Sequence, residues 1–225
     1  MSESEGYVKY QCNWIRSAPL STQDLLDINA CRDKLFRLGL IGAYANGIGF
    51  GNLSIRLGQS NQFIISGTQT GHLPSLNEQH YTRVIEVDFS QNVVTCEGPI
   101  QASSESMTHA VFYMINKDIN AVIHVHCPYL WGNLINTFPT SQSIVSYGTT
   151  EMTKEVVRLY KERDLKEKKM MVMSGHKDGI IAFGKDLCEA KRVIIGHYKE
   201  YLREADHILH DPRLLTHGLP SSTVC

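Results

Sequence analysis

Between Thr22 and Leu40 the apolar side chains Leu25, Ile28, Cys31, Leu35 and Leu38 recur at helical steps, the pattern of a helix with one buried face. Thr22 offers an N-cap hydroxyl, and Gly39 and Gly42 stand where the helix should stop. The period then changes to two. Leu53, Ile55 and Leu57 alternate with Asn52, Ser54 and Arg56, a turn follows over Gly58 to Asn61, and Phe63-Ile64-Ile65 resumes, which predicts a hairpin. Val84 to Val87 and Val93 to Thr95 predict two more strands joined across Asp88 to Asn92.

Helical spacing returns with Met107, Ala110, Val111, Met114 and Ile115, so a helix should begin at Ser103-Ser104-Glu105, with Glu105 in its first turn. The apolar run Ala121-Val122-Ile123 continues into His124-Val125-His126 and reads as a strand. Thr150 to Tyr160 suits a helix, while Met170 to Met173 and Gly179 to Phe183 suit buried strands. Asp186-Leu187-Cys188-Glu189 resembles a capping box opening a last long helix through Val193, Ile194 and Tyr201. The segment from His210 to Cys225, with Pro212 and Pro220, reads as an irregular tail. The whole is expected to be one α/β domain over residues 1–225, with 1–20 an N-terminal extension and 210–225 the tail.

Composition narrows the function classes. At 225 residues, 42% hydrophobic and 20% charged, the chain can bury a core without disulfides or a structural metal. The net charge of -1 and the lack of a clustered basic face argue against nucleic acid as a partner. No run of eighteen apolar residues occurs and the first residues are acidic and polar, so neither a membrane nor secretion is expected. Six cysteines without a paired framework fit a reducing cytoplasm.

The candidate chemistry centres on His124-Val125-His126. Residues at i and i+2 of a strand project from the same face, so both imidazoles can reach one metal ion. Catalytic zinc commonly takes three protein ligands and keeps one position open. His176, at a bend in Ser174-Gly175-His176-Lys177-Asp178-Gly179 between two apolar strands, is the candidate third ligand. Glu105 begins the helix that feeds the histidine strand, and a carboxylate beside a divalent cation suits general acid–base work. Gly47-Ile48-Gly49-Phe50-Gly51-Asn52 is no dinucleotide fingerprint, because a strand pattern follows it where a helix is required. Its backbone, with Asn52, Ser66, Gly67, Ser103 and Ser104, could instead hold a phosphate.

These motifs together resemble the class II aldolase/adducin family, most closely its L-fuculose-phosphate aldolase-like members. The resemblance spans roughly Leu25 to Tyr201 and rests on Gly51-Asn52-Leu53-Ser54-Ile55-Arg56, Ile65-Ser66-Gly67-Thr68, Ser103-Ser104-Glu105, Ala121 to His126, and His176 before Gly184-Lys185-Asp186-Leu187. It implies a three-layer α/β/α sandwich with a largely antiparallel central sheet, assembled as a homotetramer with active sites between neighbouring subunits. It also implies Zn²⁺ or another divalent transition metal on His124, His126 and His176, Glu105 as the acid/base, and substrate phosphate on Asn52, Ser66, Gly67, Ser103 and Ser104. The implied reaction is retro-aldol cleavage of a ketose 1-phosphate through a zinc-stabilised enediolate, without a Schiff-base lysine.

This sequence departs from the family pattern at several places. Gly49 stands where these aldolases often carry a hydroxyl, and the usual Asn-His-Gly at the third ligand is Gly175-His176-Lys177. The segment between His126 and His176 is short for a fuculose-phosphate aldolase, and no tyrosine follows Tyr201, so Tyr147 is the candidate replacement proton donor. Two alternatives stand beside the aldolase. One keeps fold and metal for a pentulose-phosphate epimerase, a dehydratase or a decarboxylase. The other is an adducin-like binding module, for which a full histidine set and Glu105 would serve no chemical need.

Overall fold

A computed structural model describes residues 7–210. Its first element is one that the sequence pattern did not predict, β1 (Gln11–Arg16), inside the expected N-terminal extension. The strand pairs parallel to β7 at the rim of the sheet, and its one apolar face is short, with only Cys12 and Trp14 turned toward the core. Then come α1 (Thr22–Arg37), the short β2 (Gly42–Ala43) and β3 (Gly49–Phe50), and β4 (Asn52–Arg56). They are followed by β5 (Phe63–Ser66), β6 (Tyr81–Asp88), β7 (Val93–Gly98), α2 (Ser106–Ile115) and β8 (Ala121–His126). The chain continues through α3 (Pro128–Leu134), α4 (Thr150–Glu162), α5 (Leu165–Lys168), β9 (Met170–Val172), β10 (Gly179–Gly184) and α6 (Leu187–His210).

Two helix starts differ from expectation. Ser21, not Thr22, caps α1, because its hydroxyl accepts from Asp24 N–H while the Thr22 hydroxyl donates to Glu78. Glu105 occupies the N-cap position of α2 rather than its first turn, and its side chain makes no capping bond there. At α6, Asp186 accepts from Glu189 N–H as a capping box requires, but Glu189 reaches back to Lys185 N–H. The expected tail beyond His210 lies outside the described residues.

The main sheet has eight strands in the order β1-β7-β6-β5-β4-β8-β10-β9, antiparallel throughout except for β1 against β7. The two expected hairpins, β4–β5 and β6–β7, are both present. Each face of the sheet carries its own core. One packs Phe63, Ile65, Val122, Ile181 and Phe183 under α2, α4 and α5; the other packs Leu53, Ile64, Ile123, Val125 and Ile180 under α1, α3 and α6. Helices therefore cover both faces, giving the three-layer α/β/α sandwich. Along β8 the alternation assigns Val122 to one core and Ile123 and Val125 to the other, which puts His124 and His126 on the α2 side with Val122. Cys127 joins the opposite core, as its place in the strand predicts.

Candidate metal centre and active site

His124 and His126 project from β8 between β4 and β10. His176 reaches them from the turn joining β9 to β10, where His176 N–H donates to Met173 O and Gly179 N–H donates to His176 O. That turn needs glycine twice. A Cβ at Gly175 would collide with Val145 O, and one at Gly179 would collide with the His176 ring and lie 3.2 Å from the His124 ring. Backbone thus approaches the imidazoles where any side chain would push them apart.

The three Nε2 atoms converge, with separations of 3.0 Å for His124 and His126, 2.9 Å for His126 and His176, and 3.2 Å for His176 and His124. Ligands about 2.05 Å from a tetrahedral zinc stand roughly 3.3 Å apart, so the cluster is within a few tenths of an ångström of a three-histidine site. Among the described residues it is the cluster of metal-ligating side chains suited to an ion. His124 Nδ1 lies 3.1 Å from Ile180 O, and a carbonyl only accepts, so Nδ1 holds the proton and Nε2 the lone pair. Burial pushes all three imidazoles below their ordinary pKa, His124 to about 4, and mutual repulsion adds to the effect on His126 and His176. Neutral nitrogen lone pairs are what a divalent cation requires.

A supporting shell escaped the sequence reading. Tyr44 Oη is 2.6 Å from His126 Nδ1 and 3.5 Å from Asp178 Oδ2. With Tyr44 donating to the carboxylate, His126 Nδ1–H donates to Tyr44, the same tautomer as at His124. Burial raises the Asp178 pKa. Phe50 stacks on the His126 ring at 5.1 Å between centroids. The one local cue was Asp178, two residues beyond the candidate ligand His176; Tyr44 is 134 residues from Asp178 and carries no sequence signal.

Glu105 is buried, with Oε1 3.8 Å from His124 Nε2 and 3.7 Å from His176 Nε2. It lines a cleft together with Gly49, Phe50, Gly51, Asn52, Gly67 and Ser104, enclosing about 370 Å³ with solvent at its mouth included. Ser103 and His124 also line it, so the metal face and the predicted anion contacts share one space. Ser66 is not on that wall; it is buried at the end of β5, where its Oγ accepts from Leu53 N–H at 3.4 Å. Tyr147 packs its ring 4.4 Å from that of His176, away from this cleft, and its hydroxyl donates to Tyr7 O at 3.3 Å.

The N-terminal segment reaches the site as well, which its description as an extension did not foresee. Tyr10 Oη donates to Ser103 O at 2.7 Å, bracing the turn that leads to Glu105. Lys9 Nζ lies 3.7 Å over the Tyr147 ring, and its charge contributes to the low proton affinity of His176. His109, one helical turn beyond Glu105, is buried against Ser54 Oγ at 2.7 Å.

Residues 28–199 match the Class II Aldolase and Adducin N-terminal domain. The chain belongs to that family. No curated protein matches it in sequence. Among solved structures, an L-fuculose 1-phosphate aldolase superposes with a TM-score of 0.60 at 19% identity, covering 86% of this chain and 91% of its own. The sugar-phosphate aldolase of Thermotoga maritima gives 0.60 at 18% identity, covering 84% and 97%. YgbL from Escherichia coli, named as a candidate aldolase/epimerase/decarboxylase, gives 0.60 at 16% identity, covering 85% and 91%. At these identities the likeness is one of fold, and this class II aldolase-type fold agrees with the sandwich described above. No helix among the described residues is long and apolar enough to cross a membrane.

Proposed function

We propose that this chain is a metal-dependent lyase that cleaves a ketose 1-phosphate by retro-aldol chemistry, acting in the cytoplasm as a homotetramer with sites between neighbouring subunits. The observation that carries the reading is the placement of Glu105. Its carboxylate stands within 4 Å of two converging imidazoles and on the same cleft wall as Ser103, Ser104, Gly67 and Asn52.

His124, His126 and His176 would hold the zinc or other divalent ion, which when bound supplies Lewis-acid stabilisation of charge on the substrate's oxygens. The hydroxyls of Ser103 and Ser104, the Asn52 amide and the backbone at Ser66-Gly67 would bind the phosphate and set the reacting carbon beside Glu105. In the cleavage direction the hydroxyl that becomes the aldehyde loses a proton, and the carbon left behind gains one. Glu105 is assigned the proton at carbon and Tyr147, whose ring packs on that of His176, the proton at oxygen, a role that requires its hydroxyl to leave Tyr7 O and turn into the cleft. The buried, neutral histidines are poor proton donors, which leaves the carboxylate as the acid–base group at the metal face.

The test is a panel of ketose 1-phosphates on zinc-loaded protein, with dihydroxyacetone phosphate and aldehyde measured as products. Chelation should abolish turnover and borohydride should trap no adduct. Turnover that survives full metal removal overturns the reading. The family's other chemistry, epimerisation, dehydration or decarboxylation, predicts consumption of a phosphorylated substrate with no dihydroxyacetone phosphate; an adducin-like binding module predicts neither metal nor turnover.

A further inference from the structure

Cys12 and Cys96 meet outside the proposed catalytic set. Their Sγ atoms lie 3.7 Å apart on neighbouring strands, Cys12 half-buried on β1 and Cys96 fully buried on β7. Both are free thiols. Packing alone asks only for two small apolar side chains at this place, and sulfur adds reactivity to them. The hydrogen bond between the two is foremost what raises the Cys12 pKa and lowers that of Cys96. The pair therefore holds one proton tightly and the other loosely, which leaves it a share of thiolate.

The register decides what a bond between them would do. Cys12 stands opposite Val94 and Cys96 opposite Trp14, so the two cysteines are diagonal neighbours on one face. In a flat ladder their Cα atoms would be about 8 Å apart, whereas a disulfide takes roughly 4.4–6.8 Å. The bond can close only if β1 slides along β7 by about 2 Å. β1 is the end strand of the sheet, so a slide there disturbs no further ladder. Tyr10 travels with it, two residues ahead of Cys12, and its 2.7 Å hydrogen bond to Ser103 O does not survive a shift of that size.

We propose that Cys12 and Cys96 are a peroxide-sensitive modification site, closing reversibly to a disulfide that draws β1 along the sheet and takes Tyr10 off Ser103. The proposal goes beyond the lyase reading and does not depend on it. With the pair's remaining proton on Cys96, the half-exposed Cys12 thiolate attacks one oxygen of hydrogen peroxide. The O–O bond breaks, hydroxide leaves, and Cys12 becomes a sulfenic acid. The Cys96 sulfur then attacks the Cys12 sulfur, and the expelled hydroxyl leaves with the Cys96 proton as water. In sum, two thiols lose two electrons and two protons, and peroxide is reduced to two waters. A bond closed against the pairing of β1 is strained and easily reduced, which suits a transient mark rather than a permanent staple.

The experiment exposes zinc-loaded full-length protein to hydrogen peroxide and then blocks the remaining thiols with an alkylating reagent. Peptide mapping should recover Cys12 and Cys96 in one disulfide-linked pair that a dithiol reductant separates again. Hydrogen exchange read by mass spectrometry should become about threefold faster or more in the segment holding Ser103 to Glu105, and should return on reduction. Cys12→Ser should give neither result, while Cys188→Ser, which removes an exposed thiol elsewhere, should give both. The wild-type map needs no variant, so poor folding of Cys12→Ser leaves the test intact. Peroxide that leaves both thiols open to alkylation overturns the proposal, as does oxidation of Cys12 to sulfinic acid without the cross-link. A cross-link with unchanged exchange from Ser103 to Glu105 overturns the link to Tyr10.

Discussion

Asn52 stands directly opposite His124 in the antiparallel ladder of β4 and β8, so one register fixes both a cleft amide and a metal-ligand candidate. The Asn52 side-chain oxygen Oδ1 is buried without a hydrogen-bond partner among the described residues, an acceptor for a substrate hydroxyl, while the amide NH2 is the group that can donate to a phosphate. An orphaned acceptor of that kind costs about 1–3 kcal/mol, which function can justify and stability cannot. Asn52→Ala is therefore expected to raise the KM for a phosphorylated substrate about tenfold or more while leaving the melting temperature unchanged or higher. Steady-state kinetics beside calorimetric melting makes the comparison; unchanged KM with lower stability would reject it.

Glu105→Gln keeps the shape of the side chain and removes its capacity to exchange a proton. Zinc content per subunit should stay that of the wild type, since the three histidines are untouched, and kcat should fall by about 10²–10⁴-fold. Metal analysis and turnover on the same preparation separate the two effects. Loss of metal in this variant would mean that Glu105 is a ligand rather than an acid–base group.

Tyr44→Phe removes the hydroxyl between His126 Nδ1 and Asp178. Losing the partner that fixes a ligand's tautomer typically weakens metal affinity about 10–100-fold. Competition against a zinc indicator should show that loss, with activity restored at saturating zinc. A defect that zinc fails to rescue would assign Tyr44 to substrate binding instead.

His109 supplies a pH test. Burial, followed by the charge of His124, holds its pKa well below the ordinary value. As pH falls below about 6.5, the unfolded chain takes up a proton that folded His109 refuses, so stability drops with falling pH. For one such site the slope approaches about 1.4 kcal/mol per pH unit. In metal-free protein, denaturant midpoints between pH 6 and 5 should fall more steeply for the wild type than for His109→Gln. Equal slopes would show that His109 contributes no such linkage.

The pairing of His124 with His126 was legible because a strand's two-residue period is written directly into its sequence. Ser103-Ser104-Glu105 was legible as the entry to α2, although only the cap geometry shows that Glu105 precedes the first turn. His176 could be guessed from its glycine-flanked bend, but its arrival at His124 depends on β10 pairing with β8, a contact between residues more than fifty apart. The Tyr44–His126–Asp178 chain escaped entirely. It joins side chains whose neighbours in sequence have no periodicity to betray them. β1 escaped for another reason, since Cys12 and Trp14 are the only two apolar side chains its six residues turn to the core, too short an alternation to stand out.

The position of the site within the sheet divides it into a rigid half and a labile half. β4, β8 and β10 each have a strand on both sides, so His124, His126 and Asn52 open to solvent only when the sheet itself gives way. Lys9 and Tyr10 hang instead from β1, which is held by hydrogen bonds along one side alone. Local fraying at that rim would release the brace on Ser103 without disturbing a candidate metal ligand. On the proposed function, motion that admits substrate or releases product can thus be confined to the edge, while His124 and His126 stay in a strand paired on both sides.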